Sequence, residues 1–211
     1  MAEQVAQKRL TGSARRAQLI EVGRTVFAER GYDAASIEEI AARAKVSKPI
    51  VYGHFGGKEG LYAVVVDRET EHLVGAITEA ISSGTPRERL EGAALSFLIY
   101  VEENPEGFAV LSRDAPPVPG SPGGGVMSGL LNEVAERVSK VFADEFKKAG
   151  YDPKTGAIHA HALVGMVTFV GQWWTKKRKP SVETVASNIA ALAWMGLRHL
   201  PKEPALSIPS D

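Results

Sequence analysis

Residues 36–58, SIEEIAARAKVSKPIVYGHFGGK, decide how the whole 211-residue chain is read. Ser36 followed by Glu39 is a capping-box pattern, which starts a helix whose apolar face is Ile37, Ile40, Ala41 and Ala44. Lys45-Val46 make a turn. Ser47 is placed to cap the next helix, and Pro49 fits its first turn, where a missing N–H costs little. Val51 and Phe55 point inward, and Gly56-Gly57 ends the helix. Two helices of roughly eight residues joined by a short turn make a helix-turn-helix.

The sequence on either side reads as helix throughout. Residues 1–12 are polar and expected to fray. Ser13 is the expected N-cap of a first helix carrying Leu19, Val22, Gly23, Val26 and Phe27, and Gly31 sits at its end. A fourth helix runs from about Lys58 with Leu61, Val65, Leu73, Ile77 and Ile81 inside, until Ser82-Ser83-Gly84 breaks it. Thr85-Pro86-Arg87-Glu88 is a second capping box and opens a fifth. Asn104-Pro105 opens a sixth, to Leu111. Residues 115–125, rich in Pro and Gly, read as a flexible loop. A seventh helix spans about 127–149, an eighth begins at Asp152-Pro153, and a ninth runs from Ser181 to about Leu200.

The eighth and ninth are apolar on more than one face, which implies burial on both sides. In a chain of this size that points to a subunit interface, with Gly165, Ala190, Ala191, Ala193 and Gly196 small enough for close approach. No strand pattern competes. The expected fold is all-α, of about nine helices, with a head at residues 1–57 (helix-turn-helix at 36–55) and a larger regulatory and dimerisation body at 58–211.

Hydrophobic content of 44% suffices for a real core. The absence of cysteine removes disulfides and thiolate metal sites, and it fits a reducing cytoplasm. The N-terminus has no apolar run of a signal peptide, and no stretch reaches a membrane span. Net charge is zero, yet residues 1–60 hold ten Lys and Arg against seven Asp and Glu, so the head is mildly basic and the body mildly acidic.

In a helix-turn-helix the second helix enters the major groove and its N-terminal residues meet base edges and phosphates. That chemistry needs exposed donors. Lys48, Tyr52 and His54 supply them, Ser47 can bond a phosphate while capping, and Ser36 is placed in the same way. Lys58 adds a charge at the next helix's positive end. Taken singly, Tyr52 and His54 also fit ordinary half-buried positions, and Arg15 and Arg16 fit equally a phosphate or minor-groove contact and a solvated helix start.

Over this region the chain resembles the DNA-binding part of TetR-family transcriptional regulators. The matching pieces are Phe27-Ala28-Glu29-Arg30-Gly31-Tyr32, Ser36-Ile37 with Ile40-Ala41, Val46-Ser47, Val51-Tyr52 with His54-Phe55, and Lys58-Glu59 with Leu61. The resemblance implies a homodimer, two operator half-sites and a ligand pocket in the body. It implies that Ser36, Ser47, Lys48, Pro49, Tyr52, His54 and Lys58 meet DNA. Gly53 departs from the pattern, since a side chain that can reach DNA often stands there. Weight therefore shifts to Lys48, Pro49 and Tyr52, with Pro49 limited to apolar contact such as a thymine methyl.

Candidate pocket residues are Phe97, Tyr100, Phe108, Leu111, Met166, Phe169, Trp173 and Trp174, although such a stripe also describes plain core. The basic run at 176–179 suits a helix C-terminus closed by Pro180. His159 and His161 lie on different helix faces and make no paired metal site. Enzyme motifs are missing: there is no phosphate-binding Gly loop with Lys, no His-Glu-x-x-His, and the Gly run at 123–125 has no strand before it.

The expected function is therefore a non-enzymatic, ligand-responsive repressor with no cofactor or metal. Its expected partners are a palindromic double-stranded operator, a small hydrophobic effector, and a second copy held through the last two helices. It stays off membranes, in the cytoplasm. Two other readings share the sequence: an architectural or replication-linked DNA-binding protein without ligand, and a helical carrier or enzyme with a vestigial head.

Overall fold

A computed structural model of the chain describes residues 11–113 and 125–205. The expected fraying at the extreme N-terminus and the Pro/Gly loop fall almost wholly outside the described residues. Nine α-helices and one 3-10 turn, with no strand among the described residues, make up the fold. They are α1 (Gly12–Ala34), α2 (Ile37–Arg43), α3 (Lys48–Phe55), α4 (Lys58–Ser82), α5 (Pro86–Glu103), α6 (Pro105–Ser112), α7 (Val126–Ala149), α8 (Gly156–Trp174) and α9 (Val182–Arg198). The 3-10 turn, Pro153–Thr155, leads into α8 where the sequence predicts the helix to start directly.

Local signals account for most helix starts. Ser36, Thr85 and Ser181 each accept a backbone N–H three residues on, and Thr85 with Glu88 forms the full reciprocal box. Glu39 does not complete the box at Ser36, because its carboxylate turns to Arg43 and Arg30 instead. Two expectations need correction. The cap of α1 is Thr11, whose Oγ1 accepts the Ala14 N–H at 3.2 Å, and Ser13 lies inside the first turn. Ser47 sits at the N-cap of α3 with extended backbone but makes no side-chain cap bond.

The core runs without a break from head to body. Leu19, Val26, Phe27, Ile40, Val51 and Leu61 are fully buried where α1 to α4 meet. Leu73, Leu98, Val101, Leu111 and Trp174 continue it into the body. α4 leaves the head and extends through the body, and α5 returns alongside it. α6 then packs back on α1, so the body touches the head through two helices.

On α8, Ile158, Phe169 and Trp173 stay exposed, as do Leu192 and Met195 on α9, with Phe169 75% accessible. Gly165, Ala191 and Gly196 lie on the same exposed faces, whereas Ala190 and Ala193 are buried within the subunit. Among the described residues no helix is long and apolar enough to cross a membrane.

Candidate nucleic-acid interface and body cavity

Val51 fixes the orientation of α3. It is fully buried, so at about 100° per residue its neighbours turn outward. Ser47, Lys48, Pro49 and Ile50 are exposed at the N-terminal end, and Tyr52 is 52% accessible on the next turn. Gly53 is exposed with nothing near its missing side chain. His54 is half-buried beside Phe55. The turn before α3 is closed by Val46 N–H on Ala41 O at 2.9 Å, with Lys45 in a left-handed conformation (φ 55°).

The donors differ in how free they are. Ser47 Oγ has no cap bond, so both its donor and acceptor face outward. Ser36 Oγ accepts from Glu39 N–H at 3.1 Å and keeps its own O–H to give. Lys48 pairs with Glu38 of α2, whose carboxyl this hydrogen bond holds below its ordinary range. Both side chains are more than half exposed, so the pair costs little to exchange for a phosphate. Arg43 bridges Glu29 and Glu39 at 2.7 and 2.6 Å and braces α2 against α1. The Arg16 guanidinium lies over the Phe55 ring at 5.1 Å. Ile50 was missed by sequence reasoning. Its exposure on α3 places an apolar group beside Pro49, where thymine methyls are read. The signal was its position next to inward-facing Val51.

Lys58, expected at the DNA, has partners within the head. Its Nζ donates to the carbonyls of Tyr32, Asp33 and Ala35 at 2.9, 3.2 and 3.1 Å and lies 4.5 Å from the Tyr32 ring centroid. All three N–H groups are thus spent closing the C-terminal end of α1. Replacing Lys58 by methionine is expected to destabilise the protein by about 2 kcal/mol, for charge-assisted bonds lost at half-buried carbonyls. Urea denaturation measures this; unchanged stability together with weakened DNA binding would return Lys58 to the phosphate contacts.

Tyr32 belongs to an aromatic cluster with Phe27 and Tyr62. Burial, and secondarily Tyr32, pushes the Tyr62 phenol up to about 12.

Between head and body sits a buried polar junction. Glu69 of α4 is 5% accessible and accepts the Tyr100 O–H of α5 at 2.8 Å. Arg24 of α1 approaches Glu69 at 3.5 Å, Glu106 of α6 at 3.6 Å and Glu21 at 2.9 Å. Thr25 Oγ1 donates to Glu106 at 3.1 Å. Burial, then the Glu69 carboxylate, raises the Tyr100 phenol far above its ordinary range.

A half-open cavity of about 320 Å³ lies in the body between α4, α5, α7, α8 and α9. Its wall is aliphatic and aromatic, with Leu73, Phe97, Leu130, Val134, Phe142 and Trp194 among the lining residues. Of the eight residues expected to line a pocket, Phe97 alone is on this wall. Tyr100 is held by Glu69, Phe108 packs edge-on against Phe97, and Leu111 is fully buried. Met166 rests against the core from the side. Trp174 is buried with its Nε1–H on Pro180 O at 2.7 Å, while Phe169 and Trp173 face outward. The basic run at 176–179 follows the end of α8, and Arg178 there donates to Glu102 O at 3.1 Å.

Comparison with known proteins agrees with this geometry. The profile described as "Bacterial regulatory proteins, tetR family" matches residues 19–65, and "Tetracyclin repressor-like, C-terminal domain" matches residues 73–205. The HTH-type transcriptional activator FasR of Mycolicibacterium smegmatis is 29% identical over 92% of this chain and 87% of its own length. An uncharacterized HTH-type transcriptional regulator of Mycobacterium tuberculosis strain H37Rv is 30% identical, covering 74% of this chain and 76% of its own. A TetR-like transcriptional regulator from Rhodococcus sp. RHA1, known from its crystal structure, superposes with a TM-score of 0.71 at 28% identity, over 91% of this chain and all of the other. With both profiles together spanning most of its length, the chain belongs to the TetR family of bacterial regulatory proteins and is a helix-turn-helix, DNA-binding transcriptional regulator.

Proposed function

We propose that the protein is a ligand-responsive repressor that holds a palindromic operator as a homodimer and releases it when an apolar effector fills the body cavity. The observation that carries this reading is the pairing, in one continuous core, of an exposed α3 face with an apolar cavity. The head, residues 1–57, reads DNA through Ser36, Ser47, Lys48, Pro49, Tyr52 and His54, with Ile50 added, and Lys58 at the start of α4 meets a phosphate only by exchanging its carbonyl partners. The body, residues 58–211, binds the effector and the second copy. Ile158, Phe169 and Trp173 of α8 with Leu192 and Met195 of α9 are large apolar side chains left exposed on the last two helices, which supports pairing through them. α4 belongs to both parts and carries the change between them. The effector acts by favouring a spacing of the two heads that no longer fits two half-sites about one helical turn apart. As a regulator that works on the chromosome, it operates in the bacterial cytoplasm.

The test is a genomic selection for bound DNA followed by fluorescence titration. A palindromic site is expected, with affinity that falls steeply with salt because most contacts are to phosphate. Lys48→Ala with Tyr52→Ala is expected to weaken that site about a hundredfold, from two contacts of about 1–2 kcal/mol each, with helical content unchanged. Failure to bind any DNA at moderate salt would end this reading. Little discrimination is expected at the base opposite Gly53. A second reading, activation, is favoured by the name of the M. smegmatis relative. A reporter carrying the selected operator separates the two: deleting the regulator raises expression under repression and lowers it under activation.

A further inference from the structure

The cavity wall is almost entirely apolar, but three charged side chains reach it: Arg89, Glu145 and Arg198. They come from the first turns of α5, the last turns of α7 and the end of α9. α4 runs from the head to its end at Ser82 and α5 starts back from there, so Arg89 lies at the end of the cavity remote from the head. Glu145 meets Arg89 at that end, and the Tyr151 O–H on Leu200 O at 3.0 Å ties the end of α7 to the end of α9 there.

The charges at this mouth do not cancel. Glu145 Oε1 takes a hydrogen bond from Lys148 at 3.0 Å and stands 3.7 Å from Arg89 Nη1, beyond hydrogen-bonding distance. Arg89 Nε is buried and has no hydrogen-bond partner among the described residues. A guanidinium presents five donors in a planar fork and stays charged, so a buried unpaired donor on it calls for an anionic acceptor. At the opposite end the wall is Leu73 and Phe97, with no charge. The cavity is thus polarised, basic at its mouth and apolar at its depth.

We propose that the effector is an amphiphilic acid: one anionic group held by Arg89 and assisted by Arg198 at the mouth, and an apolar body reaching in toward Phe97. At about 10–15 Å³ of cavity volume per water-sized group the cavity takes on the order of twenty non-hydrogen atoms. The depth it reaches has regulatory meaning. Phe97 is one turn from Tyr100, and Leu73 one turn from Glu69, so the inner end of the ligand presses on the helices that carry the head–body junction. This assignment rests on the reading of the chain as a ligand-responsive regulator.

The full-length protein is titrated with three twelve-carbon probes below their micellar concentrations: dodecanoate, dodecanol and dodecyltrimethylammonium. Binding is followed by calorimetry and by the fluorescence of Trp194, which lines the cavity. Dodecanoate is expected to bind about tenfold or more tighter than dodecanol, and the cation more weakly than both. Arg89→Gln is expected to remove most of the preference for the acid while leaving dodecanol binding unchanged. Glu145→Gln is expected to strengthen acid binding, an opposite sign that damage to the fold cannot produce. Equal binding of acid and alcohol, or equal weakening of both by Arg89→Gln, overturns the acid assignment and leaves an apolar effector standing. Binding of none of the probes, with operator binding intact, overturns both.

Discussion

Replacing Gly60 by alanine is expected to abolish operator binding and to destabilise the protein by about 3 kcal/mol or more. Gly60 lies in the first turn of α4, directly over the end of α3. A Cβ there would stand 1.9 Å from the carbonyl oxygen of Phe55 and 3.1 Å from its carbonyl carbon. The obstacle is backbone, so no rotamer relieves it. Either the first turn of α4 unwinds or α3 swings away, and both move the helix that carries Lys48, Pro49 and Tyr52. α2 and α3 are short, with seven and eight residues, and hold their place by packing rather than by their own helical stability. Urea denaturation followed by circular dichroism, together with an operator gel shift, measures both effects. Wild-type stability with wild-type affinity would mean that the α3–α4 corner is far more tolerant than this contact allows.

Glu69→Ala is expected to cost about 3 kcal/mol and to uncouple the two parts of the molecule. The substitution leaves the buried Tyr100 hydroxyl without its acceptor and removes the most buried of the carboxylates around Arg24. Arg24 is still about a quarter exposed and keeps Glu21 and Glu106, which places the cost at the lower end for a broken buried pair. The double change Glu69→Leu with Tyr100→Phe is expected to recover part of the loss, because it removes donor and acceptor together. Gly107 belongs to the same arrangement: a Cβ on it would meet Glu69 Oε2 at 2.1 Å, so α6 approaches α4 this closely only without a side chain there. The functional signature is effector binding that persists while its influence on operator affinity is lost. Calorimetry with and without operator DNA measures that coupling, and coupling unchanged in Glu69→Ala would exclude this junction as the route.

The helices were legible because their starts and stops are local chemistry. Ser36, Thr85 and Ser181 cap with their own side chains, and Gly150 ends α7 in the left-handed conformation. The cap at Thr11 was missed because two hydroxyl residues stand close together and only the geometry chooses between them. The exposed face of α3 was legible from inward-facing Val51. The acceptors of Lys58 were not legible because they come from the end of α1, more than twenty residues earlier, and a lysine in a first turn gives no sign of that approach. The cavity was the least legible feature. Periodicity separates buried from exposed, but it cannot tell a buried side chain facing a neighbour from one facing space. Phe169 and Trp173 show the other failing: α8 is apolar on two faces, and they belong to the outer one. Arg89, Glu145 and Arg198 carry no sequence signal of a site, since only the meeting of three helices brings them to one mouth.

The length of α4 sets the gearing of the molecule. Its 25 residues at about 1.5 Å each make a rod of roughly 37 Å. Pivoted at its body end, such a rod needs a tilt of only about 5° to carry its other end some 3 Å, close to the rise of one base pair. In the two-fold pair proposed above the displacement would be mirrored, so the separation of the reading helices would change by about twice that. In the proposed dimer, a shift inside the body no larger than the width of a methyl group would then be enough to put both heads out of step with the groove.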